Sequence, residues 1–157
     1  MMKVFVASKL HEAGLKLLRE KPELEVVVIP NPTPKEFLHQ IEDADVLIVR
    51  SLPVVDAGVL EHAKRLRVIG RAGLGVDNID LERATQRGIL VVNAPRDNID
   101  SAAEHTWALL LALVRRIPHA DDTLKRGRWE KDALMGRELA GKRFGIVGLI
   151  RSERFTK

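Results

Sequence analysis

Cysteine is absent from the 157 residues, so neither a disulfide framework nor a thiolate-held metal site is open to this chain, and a reducing, cytoplasmic setting is the default expectation. Aromatic residues make up only 4% of the sequence, too few to lay out a stacking platform for single-stranded bases. Long apolar runs are missing too. The longest, Trp107 to Val114, falls far short of the roughly 18 residues a membrane span requires. Charge of one sign is never blocked: the net charge is +4, and the most basic stretch, Arg115 to Lys131, is interrupted by Asp121, Asp122 and Glu130. A nucleic-acid partner calls for a basic face, and none is expected. Met1-Met2-Lys3 runs straight into an alternating strand pattern, unlike a secretory leader. His11, His39, His62, His105 and His119 are scattered without metal-ligand spacing, and Glu104 and His105, adjacent on a helix, do not face each other. No metal site is expected.

What is present is ordinary globular material, 45% hydrophobic and 31% charged, enough for a domain with a sizeable core. Short β-branched runs at Lys3–Ala7, Leu24–Ile29, Asp45–Val49, Leu66–Ile69 and Ile89–Val92 read as strands, with a sixth at Arg143–Val147. Helical patterns fall between them near His11–Glu20, Pro34–Glu42, Ala57–Lys64 and Leu81–Arg87. Strict alternation of strand and helix implies parallel strands joined by crossovers, hence an α/β sheet.

Local chemistry marks the boundaries. Thr33-Pro34-Lys35-Glu36 combines an N-cap, a proline in the first turn and a capping-box glutamate. Asp80 can cap the helix at Leu81, and Gly88 supplies the left-handed residue that ends it. Ser101-Ala102-Ala103-Glu104 reads as a second capping box, opening a helix to about Arg116 that is apolar around most of its girth and asks for burial on more than one side. Pro95-Arg96-Asp97-Asn98 is a turn-rich link. The expected division is therefore residues 1–97 as a flavodoxin-like parallel-sheet domain and residues 98–157 as the beginning of a second one. That second part holds a long helix, a polar arm (Pro118 to Gly141) and one strand without sequence neighbours.

Open parallel sheets bind ligands beyond the carboxyl ends of their strands, at the switch point. Those positions here are Ser8, Arg50-Ser51, Arg71-Ala72-Gly73-Leu74-Gly75, and Asn93-Ala94-Pro95 leading to Asn98. Arginine suits bidentate binding of carboxylate or phosphate, and glycine lets backbone N–H groups approach an anion. Position alone also allows a bland reading: solvated surface arginines, and glycines that merely turn the chain.

The run Arg71-Ala72-Gly73-Leu74-Gly75-Val76-Asp77-Asn78-Ile79-Asp80 resembles the loop after the fourth strand of the D-isomer-specific 2-hydroxyacid dehydrogenases, nearest to their phosphoglycerate branch. Asn93-Ala94-Pro95, Asn98 and Ser101-Ala102-Ala103-Glu104-His105-Thr106 are similar to the segment that follows, and Gly141 to Leu149 looks like the strand entering that family's Rossmann dinucleotide domain. The resemblance runs from Lys3 to Leu149. It implies that Arg50, Ser51, Arg71 and Asn98 contact the carboxylate or phosphate of a small 2-hydroxy or 2-keto acid, with Ala72 and Gly73 offering backbone N–H groups. It further implies NAD as cofactor, bordered by Leu74 and Thr106 and approached by Gly148, and a homodimer in which the arm wraps a partner subunit. Leu74 stands where the family often has threonine. Leu52-Pro53-Val54-Val55 after Arg50-Ser51 departs from the phosphoglycerate pattern and leaves glyoxylate, hydroxypyruvate or lactate-type acids open.

A dinucleotide turn needs G-x-G-x-x-G. Only Gly148 fits; Ile150 and Glu153 occupy the second and third glycine positions, where a branched side chain blocks the pyrophosphate and a carboxylate repels it. Residues 150–157 lack an apolar helical period, and the expectation is a frameshift or early stop after Leu149, leaving the family's catalytic arginine, histidine and carboxylate outside an inactive amino-terminal fragment. A phosphoacceptor receiver domain would place acidic groups where Ser8-Lys9 and Arg50-Ser51 stand. A flavodoxin would carry a Ser/Thr/Gly-rich loop in place of Ser8-Lys9-Leu10-His11. The stronger rival is a non-catalytic, acid-binding or dimerising remnant.

Overall fold

The computed structural model describes residues 1–95 and 99–147. Two compact units divide the chain, Met1–Asp97 and Asn98–Lys157.

In the first unit, five strands alternate with four helices: β1 (Met2–Val6), α1 (Glu12–Arg19), β2 (Leu24–Val28), α2 (Pro34–Ile41), β3 (Val46–Val49), α3 (Ala57–His62), β4 (Val68–Arg71), α4 (Leu81–Gln86) and β5 (Leu90–Asn93). All pairings are parallel, in the order β2-β1-β3-β4-β5, which is the flavodoxin-like order with its switch point between β1 and β3. The period-2 alternation of strands sorts the core into two layers. Phe5, Leu47 and Ile69 face Phe37 and Ile41 of α2, Leu60 of α3 and Ala84 of α4, whereas Val4 and Val6 face Leu15 of α1.

The caps form as expected. Thr33 and Glu36 exchange both capping-box bonds, Asp80 accepts the Arg83 N–H at 2.9 Å, and Gly88 ends α4 at φ +67°. One strand moves. The fourth begins at Val68 and runs on through Arg71, although the apolar run suggests Leu66–Ile69. Leu66 is buried, yet its N–H donates to the Ala63 carbonyl in the turn closing α3, so its apolar character reports core contact and not ladder pairing.

The second unit departs further. Helix α5 spans Ile99–Val114, which puts Ser101 inside its first turn, so the capping box expected at Ser101–Glu104 does not form. Part of the expected arm is helical: α6 covers Ile117–Lys125, with Pro118 in its first turn and the i,i+4 pairs Lys125–Asp121 and Arg126–Asp122 along it. Arg116, at φ +54°, reverses the chain between the two helices. No strand forms at 143–147; a single extended run has no ladder partner among the described residues, so nothing fixes it as a strand. Instead Phe144 stacks on Trp107 at 5.3 Å, and the Arg137 N–H donates to the Val114 carbonyl, folding the segment back over α5. Leu109, Leu111 and Leu113 stay exposed. No helix in the described residues is long and apolar enough to cross a membrane.

At the amino ends of the strands, Asp45 is the anchor. It is buried, accepts the Lys3 N–H at 2.8 Å and the Arg65 guanidinium at 3.1 Å, and these bonds, the Lys3 amide first, hold its carboxyl below the usual range against the opposing cost of desolvation. A lowered folded-state pKa means that its stabilisation is full above the unfolded carboxylate value and fades as pH falls through the folded one. Asp45→Asn is expected to cost on the order of 2 kcal/mol near neutral pH and to flatten the acid limb of stability. Urea melts of both proteins from pH 7 to pH 2.5 check this, and parallel pH curves would contradict it.

Candidate functional site

Parallel pairing brings four strand ends to one edge. Val6 lies beside Ile48, Val49 beside Arg71, and Arg71 beside Asn93, so the loops that follow leave the sheet together. The opposite edge carries a wide depression of about 600 Å³ beside Asp45 and Arg65, but that is the amino end of the strands, away from the switch-point crevice where such sheets hold ligands.

Ser8 follows β1 and is buried. Its hydroxyl donates to the Leu52 carbonyl and accepts the Arg50 N–H at 2.9 Å, which ties the loop after β3 to the end of β1. Arg50 and Ser51 ride on that loop, both exposed. The Arg50 guanidinium has no hydrogen-bond or ion-pair partner among the described residues. Arg71 ends β4, half-buried; its Nη2 donates to the Ser51 hydroxyl at 3.2 Å, and its Nε is shielded from solvent without a partner among the described residues. The two arginines are therefore brought to one rim without a neutralising carboxylate among the described ion pairs.

Gly73 is shaped to this arrangement. The Arg71 guanidinium folds back over it so closely that a Cβ there would sit 1.7 Å from Nη1, and its φ of +157° is one that side-chain-bearing residues rarely adopt. The backbone donors, however, are not those expected. The Ala72 N–H is engaged with the Val49 carbonyl and the Gly73 N–H with the Arg71 carbonyl, each at 2.8 Å. One residue further on the geometry changes. The Gly73 carbonyl accepts the Ala94 N–H at 2.9 Å and the Leu74 carbonyl accepts Asn93 Nδ2 at 2.6 Å. A trans peptide points its N–H opposite its C=O, so with both carbonyls turned toward the end of β5, the N–H groups of Leu74 and Gly75 point the other way. Neither N–H has a partner among the described residues. Asn93 is thus a residue whose role sequence reasoning missed; its place at the carboxyl end of a strand was the available signal.

Leu74 itself is half-buried in this loop. Thr106 belongs to the second unit, on α5, where its hydroxyl donates back to the Ala102 carbonyl at 2.8 Å. Asn98 and Gly148 lie outside the described residues. Three of the five histidines are occupied locally. His11 Nδ1 caps α1 by accepting the Ala13 N–H, His62 Nδ1 bonds the Gly58 carbonyl, and His119 pairs with Glu130. Among the described residues no cluster of His, Asp or Glu could hold a metal ion.

Arg50 and Arg71 thus share one rim at the carboxyl ends of a flavodoxin-like sheet, and residues 4–145 match the profile of the D-isomer specific 2-hydroxyacid dehydrogenase catalytic domain. The chain belongs to that family. It is 50% identical over 151 residues to D-3-phosphoglycerate dehydrogenase of Methanocaldococcus jannaschii and 49% identical over 150 residues to the enzyme of that name from Archaeoglobus fulgidus. Each alignment covers 96% of this chain but 28% of the relative, so the chain spans little more than a quarter of their length. Among solved structures, the TT0316 protein of Thermus thermophilus superposes with a TM-score of 0.81 at 38% identity, covering 88% of this chain and 46% of that one. D-lactate dehydrogenase of Aquifex aeolicus, solved with NAD and lactic acid, superposes with a TM-score of 0.73 at 25% identity, covering 87% and 41%.

Because Ser8 holds two backbone groups of the Arg50 loop from a buried position, Ser8→Ala leaves both without their partner and is expected to lower stability by about 1–3 kcal/mol. Denaturant titration measures the loss. An unchanged midpoint would show that the loop is held by something else.

Proposed function

We propose that this chain is the substrate-binding portion of a NAD-dependent D-2-hydroxyacid dehydrogenase, specifically a D-3-phosphoglycerate dehydrogenase serving serine biosynthesis. The observation that carries the reading is the pair Arg50 and Arg71, convergent on one rim and without carboxylate partners among the described residues. A small acid presenting a carboxylate at one end and a phosphate at the other matches two separated guanidiniums, with Ser51 between them. In this reading Arg71, the more enclosed of the two, takes the carboxylate together with the N–H groups of Leu74 and Gly75. Ala72 and Gly73 shape the loop, and the Gly73 N–H joins only if it leaves the Arg71 carbonyl, a short-range bond that an anion can outcompete. Arg50, exposed at the outer edge, takes the phosphate, and Asn98 completes the substrate contacts. Leu52 to Val55 add no further cation, which favours the plain acids glyoxylate, hydroxypyruvate or lactate as the second reading.

The residues present do not fit a bound dinucleotide. No strand forms at 143–147 among the described residues, and in the sequence Ile150 and Glu153 stand where a dinucleotide turn needs glycines. Leu74 and Thr106 would supply contacts at the nicotinamide edge alone. Asp77 is an acidic group on the loop after β4, its carboxylate lying beside Gly75, and we assign proton and hydride transfer to no residue of this rim. We assign residues 98–157 to the beginning of the cofactor domain, with the stretch from Pro118 to Gly141 as a dimer contact and the cytoplasm as the place of action.

The expected binding constant for a carboxylate at this rim is in the millimolar range, about 4 kcal/mol. NMR titration with 3-phosphoglycerate, lactate and glyoxylate should perturb Leu74 and Gly75. Arg71→Ala should weaken all three acids at least tenfold, and Arg50→Ala should weaken 3-phosphoglycerate far more than the other two. If neither substitution alters the titration, the rim is not the anion site. In a separate assay, residues 1–157 with 3-phosphoglycerate and NAD should form no NADH above a protein-free blank.

A further inference from the structure

The two arginines sit on different loops, and a chelating site needs the distance between those loops fixed. Main-chain bonding supplies part of the connection: the Val55 N–H donates to the Asn78 carbonyl at 2.7 Å and the Asp80 N–H to the Val55 carbonyl at 2.9 Å, forming a short parallel bridge between Val55 and Ile79, both buried. That bridge lies beyond the arginines and does not itself hold residues 50–53. The side chain of Asn78 closes the gap. Its amide Nδ2 carries two N–H donors, and both are engaged on the opposite loop, one with the Arg50 carbonyl and one with the Pro53 carbonyl, each at 3.0 Å. Ser8 grips the same four residues from β1, through the Arg50 N–H and the Leu52 carbonyl.

We propose that Asn78 is the positioning residue of the anion rim, clamping the Arg50–Pro53 loop to the loop that begins at Arg71, so that the two guanidiniums act as one preorganised chelate. The proposal rests on the reading of Arg50 and Arg71 as anion ligands, while the clamp itself can be tested without any anion. Asn78 touches no ligand in this scheme. Its work is done through the Arg50 carbonyl, and only a residue with two coplanar N–H donors can do it: aspartate is isosteric but has none and would repel both carbonyls.

The test has a ligand-free arm and a titration arm. In ligand-free wild type, the Asn78 side-chain amide protons should exchange at least tenfold more slowly than those of exposed asparagine; free exchange overturns the clamp whether or not any variant folds. Asn78→Ala should speed amide exchange at Arg50 and Val55 while exchange in β1 and β4 stays at the wild-type rate. In the titration, Asn78→Ala should weaken 3-phosphoglycerate at least fivefold, and Arg50→Ala introduced on top of it should cost much less than it does in wild type, the non-additivity a shared positioning role requires. Asn78→Asp should behave like the alanine variant. Full additivity, or unchanged affinity despite faster loop exchange, overturns the positioning role. If wild type binds no 3-phosphoglycerate while exchange at Arg50 and Val55 still responds to Asn78→Ala, the clamp is upheld and it is the anion-site reading that fails.

Discussion

The in-register pairing of β3 with β4 is the constraint from which the rest of the first unit follows. Val49 lies beside Arg71, so the loop carrying Arg50 and Ser51 and the loop carrying Gly73 and Leu74 must leave the sheet side by side. Strands of opposite sense, or a shift of two residues, would send the two arginines to different parts of the surface. Parallel strands require crossovers, and the crossovers α2, α3 and α4 cover one face of the sheet with Phe37, Ile41, Leu60 and Ala84. The core therefore fixes the register, and the register assembles the rim.

Electrostatics then separates the two ends of the sheet. At the amino end, Asp45 is matched by Arg65 and by the Lys3 amide, an arrangement that satisfies itself. At the carboxyl end, Arg50 and Arg71 have no carboxylate partner among the described ion pairs, although Asp77 sets its carboxylate beside Gly75. Asn93 and Ala94 hold the carbonyls of Leu74 and Gly73 to one side, which by peptide planarity leaves the N–H groups facing the other. One end is closed by its own pairs; at the other, two guanidiniums stand without an ion-pair partner among the described residues. Membership of the D-isomer specific 2-hydroxyacid dehydrogenase family gives that asymmetry a chemical context, since its substrates are acids.

The same contrast divides what could be read in advance. In the first unit, α/β alternation, the cap at Thr33, the cap at Asp80 and the reversal at Gly88 were legible because each depends on residues within four positions of one another. Leu66 misled, since an apolar residue announces burial without saying whether a strand or a turn buries it. In the second unit, Ser101-Ala102-Ala103-Glu104 has capping-box chemistry, yet Ile99 and Asp100 are already helical, and a cap signal inside a helix is silent. Arg143–Val147 has strand composition, but a strand is a relation between two segments, and composition alone does not supply the second.

Sequence by itself determined the kinds of groups available to this protein: two arginines and a glycine-rich turn at strand ends, no thiol, no metal-ligand spacing, and a family signature running from Lys3 to Leu149. Tertiary structure decided which atoms are free. It showed Ser8 as an anchor of the Arg50 loop, engaged the N–H groups of Ala72 and Gly73, left those of Leu74 and Gly75 without a partner among the described residues, and set Asn78 across two loops separated by more than twenty residues of chain. The reason is that hydrogen-bond donors are consumed pairwise by partners distant in sequence, so a residue's chemistry is written locally, but its availability is settled only when the chain has folded.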